Sequence, residues 1–104
     1  MVLRINNPTA LSVRRAAKKD GNHNAIAAYL KARGWSVEDT HRQSDGFPDL
    51  VAGVPGFACL IEVKEPGGKL TPKEQQFAER WTGPYIVAYS GEHAEQQLNQ
   101  MWGR

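Results

Sequence analysis

The chain has 104 residues, of which 40% are hydrophobic and 23% charged, and its net charge is +2. This is the size of one small folded domain, which excludes a separate recognition domain. No apolar run approaches the roughly 20 residues of a membrane helix, the first residues lack the apolar stretch of a signal peptide, and the single Cys59 excludes an intrachain disulfide. We therefore expect a cytoplasmic protein with no membrane partner.

The first 20 residues are predicted to form a basic segment or arm that precedes a single domain of residues 21–104. A turn or cap is expected at Asn6-Asn7-Pro8-Thr9, and a short helix from about residue 10 to 19. Four basic side chains fall within six residues of this segment: Arg14, Arg15, Lys18 and Lys19. They can follow the phosphates of a nucleic acid, and the alternative is a solvated helix face.

The first clear helix is expected to start at a cap formed by Asp20 or Asn22 and to end at Gly34. Its apolar residues recur at helical spacing: Ile26, Tyr29 and Leu30. Residues 35–41 then have the mixed alternation of a half-exposed strand. A polar loop over residues 43–46 follows this strand.

Two apolar strands come next and carry the polar residues on which the functional interpretation depends. The sequence GFPDLV leads into the first strand, and LIEVK lies in the second. The turn over residues 53–56 folds them antiparallel, which predicts Asp49 opposite residue 60 or 61 and within diagonal reach of Glu62. Because side chains alternate along a strand, Glu62 and Lys64 project to the same face. These three groups can therefore share one volume.

Two carboxylates and an amine in one volume are the composition of a metal-dependent phosphodiesterase site. Asp49 and Glu62 can ligate a hard cation, Mg²⁺ or Mn²⁺, and the backbone carbonyl of Val63 can supply a third oxygen. Such a cation activates water and neutralises charge on the phosphoryl oxygens, while Lys64 can orient the nucleophile or stabilise the phosphate. The alternative is a solvated Glu-Lys pair at a sheet edge.

The remaining elements are indicated by their caps. A capping box at Thr71-Pro72-Lys73-Glu74 predicts a helix from Pro72 to about Thr82, and this role accounts for Glu74. A strand over residues 85–89 and a helix over residues 92–101, capped by Ser90, complete the chain. Lys69, in the glycine-rich loop before the helix at Pro72, is expected to contact a phosphate or to be an ordinary flexible lysine.

The order helix, three strands, helix, strand, helix predicts an α/β or α+β fold in which a mixed sheet is flanked by helices. The expected core consists of apolar side chains from every element: Ile26, Leu30, Leu50, Ile61, Val63, Phe77, Trp81, Ile86 and Val87. The three tryptophans are assigned to core or subunit packing, although an exposed Trp102 can also stack on a base.

Three segments, GFPDLVAG, CLIEVKEPGGKLTP and GPYIVAYS, resemble the VRR-NUC branch of the PD-(D/E)XK nucleases over about residues 20 to 103. Asp49, Glu62 and Lys64 match the signature of that family. The resemblance implies a restriction-endonuclease-like core of order αβββαβα, cleavage of DNA, a phage or prophage setting, a homodimer, and branched substrates such as four-way junctions. It also implies that Gln75 can contact the scissile phosphate or its water, with surface solvation as the alternative.

His23 stands where members of that family generally have a Glu near the start of the first helix. It precedes Ile26 by three residues and Leu30 by seven, which places it on the apolar face of the helix. A helix N-terminus disfavours a protonated imidazole, so a neutral His23 can ligate metal in place of the carboxylate. The alternative is a partly buried histidine bonded to a backbone group or a water.

Two hypotheses follow from these residues. The first is a Mg²⁺- or Mn²⁺-dependent endonuclease that acts on DNA. The second is a DNA-binding module that retains the nuclease fold but cuts weakly or not at all, and the substitution of His23 for the expected Glu favours it.

Overall fold

Seven helices and strands follow one another along residues 22–43 and 45–103, which are the residues that the computed structural model describes. They are α1 (His23–Ala32), β1 (Ser36–Asp39), β2 (Leu50–Val54), β3 (Phe57–Val63), α2 (Pro72–Arg80), β4 (Tyr85–Ala88) and α3 (Gly91–Trp102). The expected basic arm of residues 1–20, with its short helix, lies outside the described residues. Within those residues, no helix has both the length and the apolar character needed to cross a membrane.

Local sequence accounts for the ends of the helices. Helix α1 ends two residues before Gly34, whose φ of 96° is in the left-handed region that favours glycine. At the start of α2, the Thr71 side chain accepts from the Glu74 amide and the Glu74 side chain accepts from the Thr71 amide, as the capping box predicts. The Ser90 side chain caps α3 by accepting from the amide three residues on.

The four strands form one mixed sheet in the order β1-β2-β3-β4. Strands β1, β2 and β3 are successively antiparallel, and β4 is parallel to β3. The hairpin between β2 and β3 turns at Pro55-Gly56, where Gly56 has the φ of 83° that the third residue of a type II turn requires. The parallel neighbour needs a crossover, and the chain makes it through α2. These features confirm the predicted mixed sheet flanked by helices.

Helices α1 and α3 pack on one face of the sheet and enclose the main hydrophobic core. The buried apolar side chains there come from both helices, all four strands and Trp35: Ile26, Leu30, Trp35, Val37, Leu50, Ala52, Cys59, Ile61, Val63, Ile86, Ala88, Ala94 and Leu98. Trp102 was expected to be exposed, but it is half-buried against this cluster, with its ring centroid 5.4 Å from that of Trp35. At the surface, the Arg33 side chain of α1 donates to the Glu95 carboxylate of α3 at 3.0 Å.

Helix α2 packs on the opposite face over a smaller aromatic group. Its buried Phe77 has a ring centroid 5.2 Å from Phe47 and 6.3 Å from Tyr85. Trp81 stacks on Phe77 but keeps 42% of its surface exposed, so its predicted place in the core is wrong. Val87 is half-buried rather than in the core, because it lies on this thinly covered face. We call the two faces the α1/α3 face and the α2 face.

Candidate functional site

Asp49 and Glu62 come together where β2 begins and β3 ends. Leu50 pairs with Ile61, so the next step of the register sets Asp49 opposite Glu62, one residue beyond the predicted partner. The Asp49 amide donates to the Ile61 carbonyl at 3.0 Å, and the Asp49 Oδ2 accepts from the Val63 amide at 2.9 Å. The carboxylate of Asp49 is therefore held in a fixed orientation against β3.

Glu62 is a buried carboxyl group on the α2 face, with only 2% of its surface exposed. Its Oε1 has no hydrogen-bond partner among the described residues. Burial, followed by the charges of Asp49 and Glu74 and hydrogen bonds to them, raises the pKa of Glu62 well above its usual range. In the absence of a cation, this carboxyl group holds a proton at neutral pH.

Lys64 provides the positive charge of the site. Its Nζ lies 2.8 Å from Glu74 Oε1 and 3.8 Å from Glu62 Oε2, and the side chain is largely buried. Because Lys64 directly follows β3 and lies two residues after Glu62, both side chains project to the same face, as predicted, and the structure shows that this is the face covered by α2. Asp49, Glu62 and Lys64, which the sequence predicted to share one volume, are brought together.

Glu74 is a fourth member of the site that the sequence analysis assigned only to the helix cap. The same Oε1 accepts from the Thr71 amide at 2.8 Å and contacts Lys64 Nζ. Burial alone would raise the pKa of Glu74, but the hydrogen bonds from Lys64 and Thr71 outweigh it and hold that pKa below its usual value. The short connection between β3 and α2 was the available signal, because it brings the first turn of α2 back to the end of β3.

Two further groups border the carboxylates. In an extended strand the N–H and C=O of one residue point to the same edge, so the Val63 carbonyl faces the Asp49 side, as its N–H does. The Tyr85 hydroxyl is near enough to the acidic groups that burial, and then Glu62, Glu74 and Asp49, raise its pKa. The Val63 carbonyl, which was predicted as a third ligand, and the Tyr85 phenol therefore lie beside the two predicted metal ligands.

The other predicted contacts are not part of this group. Gln75 is exposed and its Nε2 donates to Glu79 at 3.4 Å, along the outer side of α2. Lys69 is exposed in the loop before α2, which leaves it accessible to a phosphate. The predicted phosphate contacts of the basic arm, at Arg14, Arg15, Lys18 and Lys19, lie outside the described residues.

His23 is buried at the start of α1, with 1% of its surface exposed. Its side-chain contacts join it to Asn24, Asp39 and His41 rather than to Asp49 or Glu62. The sequence analysis missed Asp39 and His41, although an Asp-x-His sequence at the end of a strand was available as a signal. The strand β1 stops at Asp39, short of the predicted residue 41, and His41 lies beyond it.

Asn22 connects α1 to the site in an unexpected way. It occupies the N-cap position of α1, but its side chain makes no cap hydrogen bond. Its Nδ2 instead donates to the carbonyls of Tyr89 at 2.7 Å and Lys64 at 3.2 Å. The start of α1 is thereby attached to the ends of β3 and β4.

The side chains at Asp49 and Glu62 fit Mg²⁺ or Mn²⁺. Two carboxylates with a neighbouring carbonyl suit a hard cation that keeps several waters, and a cation would supply the charge that the orphaned Glu62 Oε1 lacks. The cation would also relieve the repulsion between the two carboxylates and replace the proton on Glu62.

Comparison of the chain with protein-family models, curated proteins and solved structures gives no match.

Proposed function

We propose that this protein is a Mg²⁺- or Mn²⁺-dependent endodeoxyribonuclease of the PD-(D/E)XK type, with Asp49, Glu62 and Lys64 as its reactive groups. The observation that carries the proposal is the buried carboxyl of Glu62, whose Oε1 has no partner among the described residues and which is set opposite Asp49 and two residues from Lys64. Burying the Glu62 carboxyl beside the half-buried Asp49 without a cation costs stability, so this arrangement is better suited to binding a cation than to holding the fold together.

Each side chain has a distinct task in this proposal. Asp49 and Glu62 would hold the cation, with the Val63 carbonyl as a third oxygen, and the bound cation would lower the pKa of a water and neutralise phosphoryl charge. Lys64, oriented by Glu74, donates a hydrogen bond to the attacking water or to a phosphoryl oxygen. The backbone N–H of Val63 keeps the Asp49 carboxylate in position.

The reaction is hydrolysis of a phosphodiester. The water oxygen bonds to phosphorus as the bond from phosphorus to one sugar oxygen breaks, and a proton from the water reaches that oxygen through solvent. The products are a phosphomonoester and a sugar hydroxyl. The resemblance to VRR-NUC nucleases extends the proposal to branched DNA as substrate, to a homodimer whose two sites cut two strands, and to a cytoplasmic, phage or prophage setting.

The test is cleavage of labelled four-way junction, flap, duplex and single-stranded DNA by the wild type with Mg²⁺, Mn²⁺ or EDTA. Glu62→Gln and Asp49→Asn are the test variants because they remove charge while keeping shape. Glu92→Gln, an exposed carboxylate on α3, is the matched control. We expect metal-dependent cleavage that falls at least about 100-fold in both test variants, with DNA binding retained and the control unchanged.

Two results contradict the proposal. Equal cleavage by the wild type and Glu62→Gln would show that the carboxylate pair of Asp49 and Glu62 is not needed for catalysis. Binding of DNA without cleavage under either metal favours the second hypothesis, a nuclease-fold binding module, for which His23 in place of a Glu is the supporting observation.

A further inference from the structure

A second group of possible metal ligands lies at the same end of the sheet. One ligand atom from each of His23, Asp39 and His41 falls within 4.8 Å of the other two. Asp39 pairs with Leu50 of the main core, so Asp39 projects to the α1/α3 face, whereas Glu62 projects to the α2 face. The group is therefore separate from the pair formed by Asp49 and Glu62.

The buried imidazole of His23 is the observation that points to a ligand. Its side chain is 2% exposed, and its Nε2 has no hydrogen-bond partner among the described residues. That nitrogen lies 3.8 Å from Asp39 Oδ1, which is too long for a hydrogen bond but close to the roughly 3.3 Å that separates two ligands of one tetrahedral zinc ion. Leaving such a buried nitrogen unpaired costs stability, and a bound cation would satisfy it.

His41 completes the group from the segment that follows β1. Its side chain is 7% exposed, and its ring meets that of His23 edge-on with centroids 5.4 Å apart. Its Nδ1 is hydrogen-bonded to the same Asp39 Oδ1 at 2.5 Å, so a metal bound there would have to separate these two atoms or be bound by the other ring nitrogen of His41. The His41 amide also donates to Asp39 Oδ1 at 3.0 Å, which fixes the carboxylate. Both imidazoles thus converge on one carboxylate that is held from the backbone.

We propose that His23, Asp39 and His41 form a binding site for a divalent transition metal, with Zn²⁺ as the preferred ion. Two imidazoles and one carboxylate are typical of zinc, and nitrogen ligands disfavour Mg²⁺. Three protein ligands leave a position for water. This site does not depend on the proposed nuclease activity.

A zinc ion here would join two parts of the fold that position the nuclease residues. His23 follows Asn22, which is bonded to the Lys64 and Tyr89 carbonyls. Thr40 lies between the other two ligands, and its amide donates to the Asp49 carbonyl at 2.8 Å. Binding should therefore stabilise the start of α1 against the end of β1.

The test uses the full chain without an affinity tag, first treated with EDTA and then titrated with Zn²⁺ by calorimetry and with Co²⁺ by visible absorption. The variants are His41→Ala, Asp39→Asn and His23→Gln. The chain has three histidines, so His93→Ala is the matched control. A Glu62→Gln variant reports whether the carboxylate pair of Asp49 and Glu62 contributes to Zn²⁺ binding.

We expect one equivalent of Zn²⁺ to bind in the presence of excess Mg²⁺, and Co²⁺ to give the absorption of a site with nitrogen ligands. Affinity should fall at least about tenfold in His41→Ala and Asp39→Asn, and His93→Ala and Glu62→Gln should bind as the wild type does. The His41 and Asp39 variants keep the test decisive if His23→Gln fails to fold. Unchanged affinity in His41→Ala and Asp39→Asn, loss of affinity in His93→Ala or Glu62→Gln, or no binding by the wild type overturns the proposal.

Discussion

At the scale of single residues, Glu62 shows how a functional group can oppose stability. Its carboxyl is buried beside two other carboxylates, and the ammonium nearest to it, that of Lys64, is closer to Glu74 than to Glu62. Burial and the neighbouring acidic groups raise the pKa of Glu62 to about 10. The folded chain therefore holds a proton that the unfolded chain releases near pH 4.5.

We predict that Glu62→Gln stabilises the metal-free protein at pH 8 by about 2 kcal/mol or more, because the amide carries no charge and can donate to Asp49 or Glu74. A raised carboxyl pKa contributes most to stability below the unfolded value, and the contribution is lost as the pH rises toward 10. The advantage of the variant should thus be small near pH 4.5 and grow with pH. Urea unfolding in EDTA across that range measures it.

The control for this stability measurement is Glu92→Gln. Its free energy of unfolding should not rise relative to that of the wild type as the pH increases. A variant of Glu62 that is less stable than the wild type at pH 8 would contradict the assignment of a buried, uncompensated carboxyl. If the prediction holds, the same variant loses cleavage while gaining stability, so lost activity cannot be attributed to misfolding.

At the scale of elements, the start of α2 serves the fold and the site at once. The capping box that begins the helix also fixes Glu74, and Glu74 holds Lys64. A change in the α2 cap therefore affects both the stability of the helix and the arrangement of the site residues Glu74 and Lys64.

We predict that Thr71→Ala lowers the free energy of unfolding by about 1 kcal/mol, because the Glu74 amide loses the hydroxyl that accepts its hydrogen bond. The first turn of α2, which carries the Glu74 side chain, then becomes less rigid, so DNA cleavage should also fall. Ser90→Ala removes the equivalent cap of α3, away from the site, and should cost similar stability without reducing cleavage. Thermal unfolding and the cleavage assay distinguish the two effects. Equal cleavage by both variants at a temperature where both are folded would show that the α2 cap has no part in the site.

At the scale of the whole molecule, a net charge of +2 does not by itself indicate nucleic acid, and the distribution of charge is more informative. The sequence concentrates Arg14, Arg15, Lys18 and Lys19 ahead of α1. If this arm follows the DNA backbone, each phosphate contact contributes to affinity and to its dependence on salt.

We predict that the double variant Arg14→Ala/Arg15→Ala binds junction and duplex DNA more weakly by a similar factor, and that the slope of log affinity against log salt falls in magnitude by about 2. Fluorescence anisotropy over a range of salt concentrations measures both. Lys31→Ala, on the exposed C-terminal turn of α1, serves as the control. An unchanged slope in the double variant would exclude the arm from phosphate contact.

The sequence by itself determined the elements and the central group of the site. Asp49, Glu62 and Lys64 come together through strand alternation and one tight hairpin, and both act over a few residues. The caps at Thr71 and Ser90 were readable for the same reason. The register was misjudged by one residue, since it depends on the turn closing at Pro55-Gly56.

Only the tertiary structure decided which face of the sheet each helix covers. The contacts of Glu74 and His23 and the exposure of Trp81 follow from that choice. Glu74 reaches Lys64 because α2 returns over the Glu62 side of the sheet, and Trp81 stays exposed because α2 covers that side thinly. His23 meets Asp39 and His41 because α1 packs over the opposite face. Such contacts join residues far apart in sequence, and their free energy depends on how whole surfaces pack together, which local periodicity does not encode.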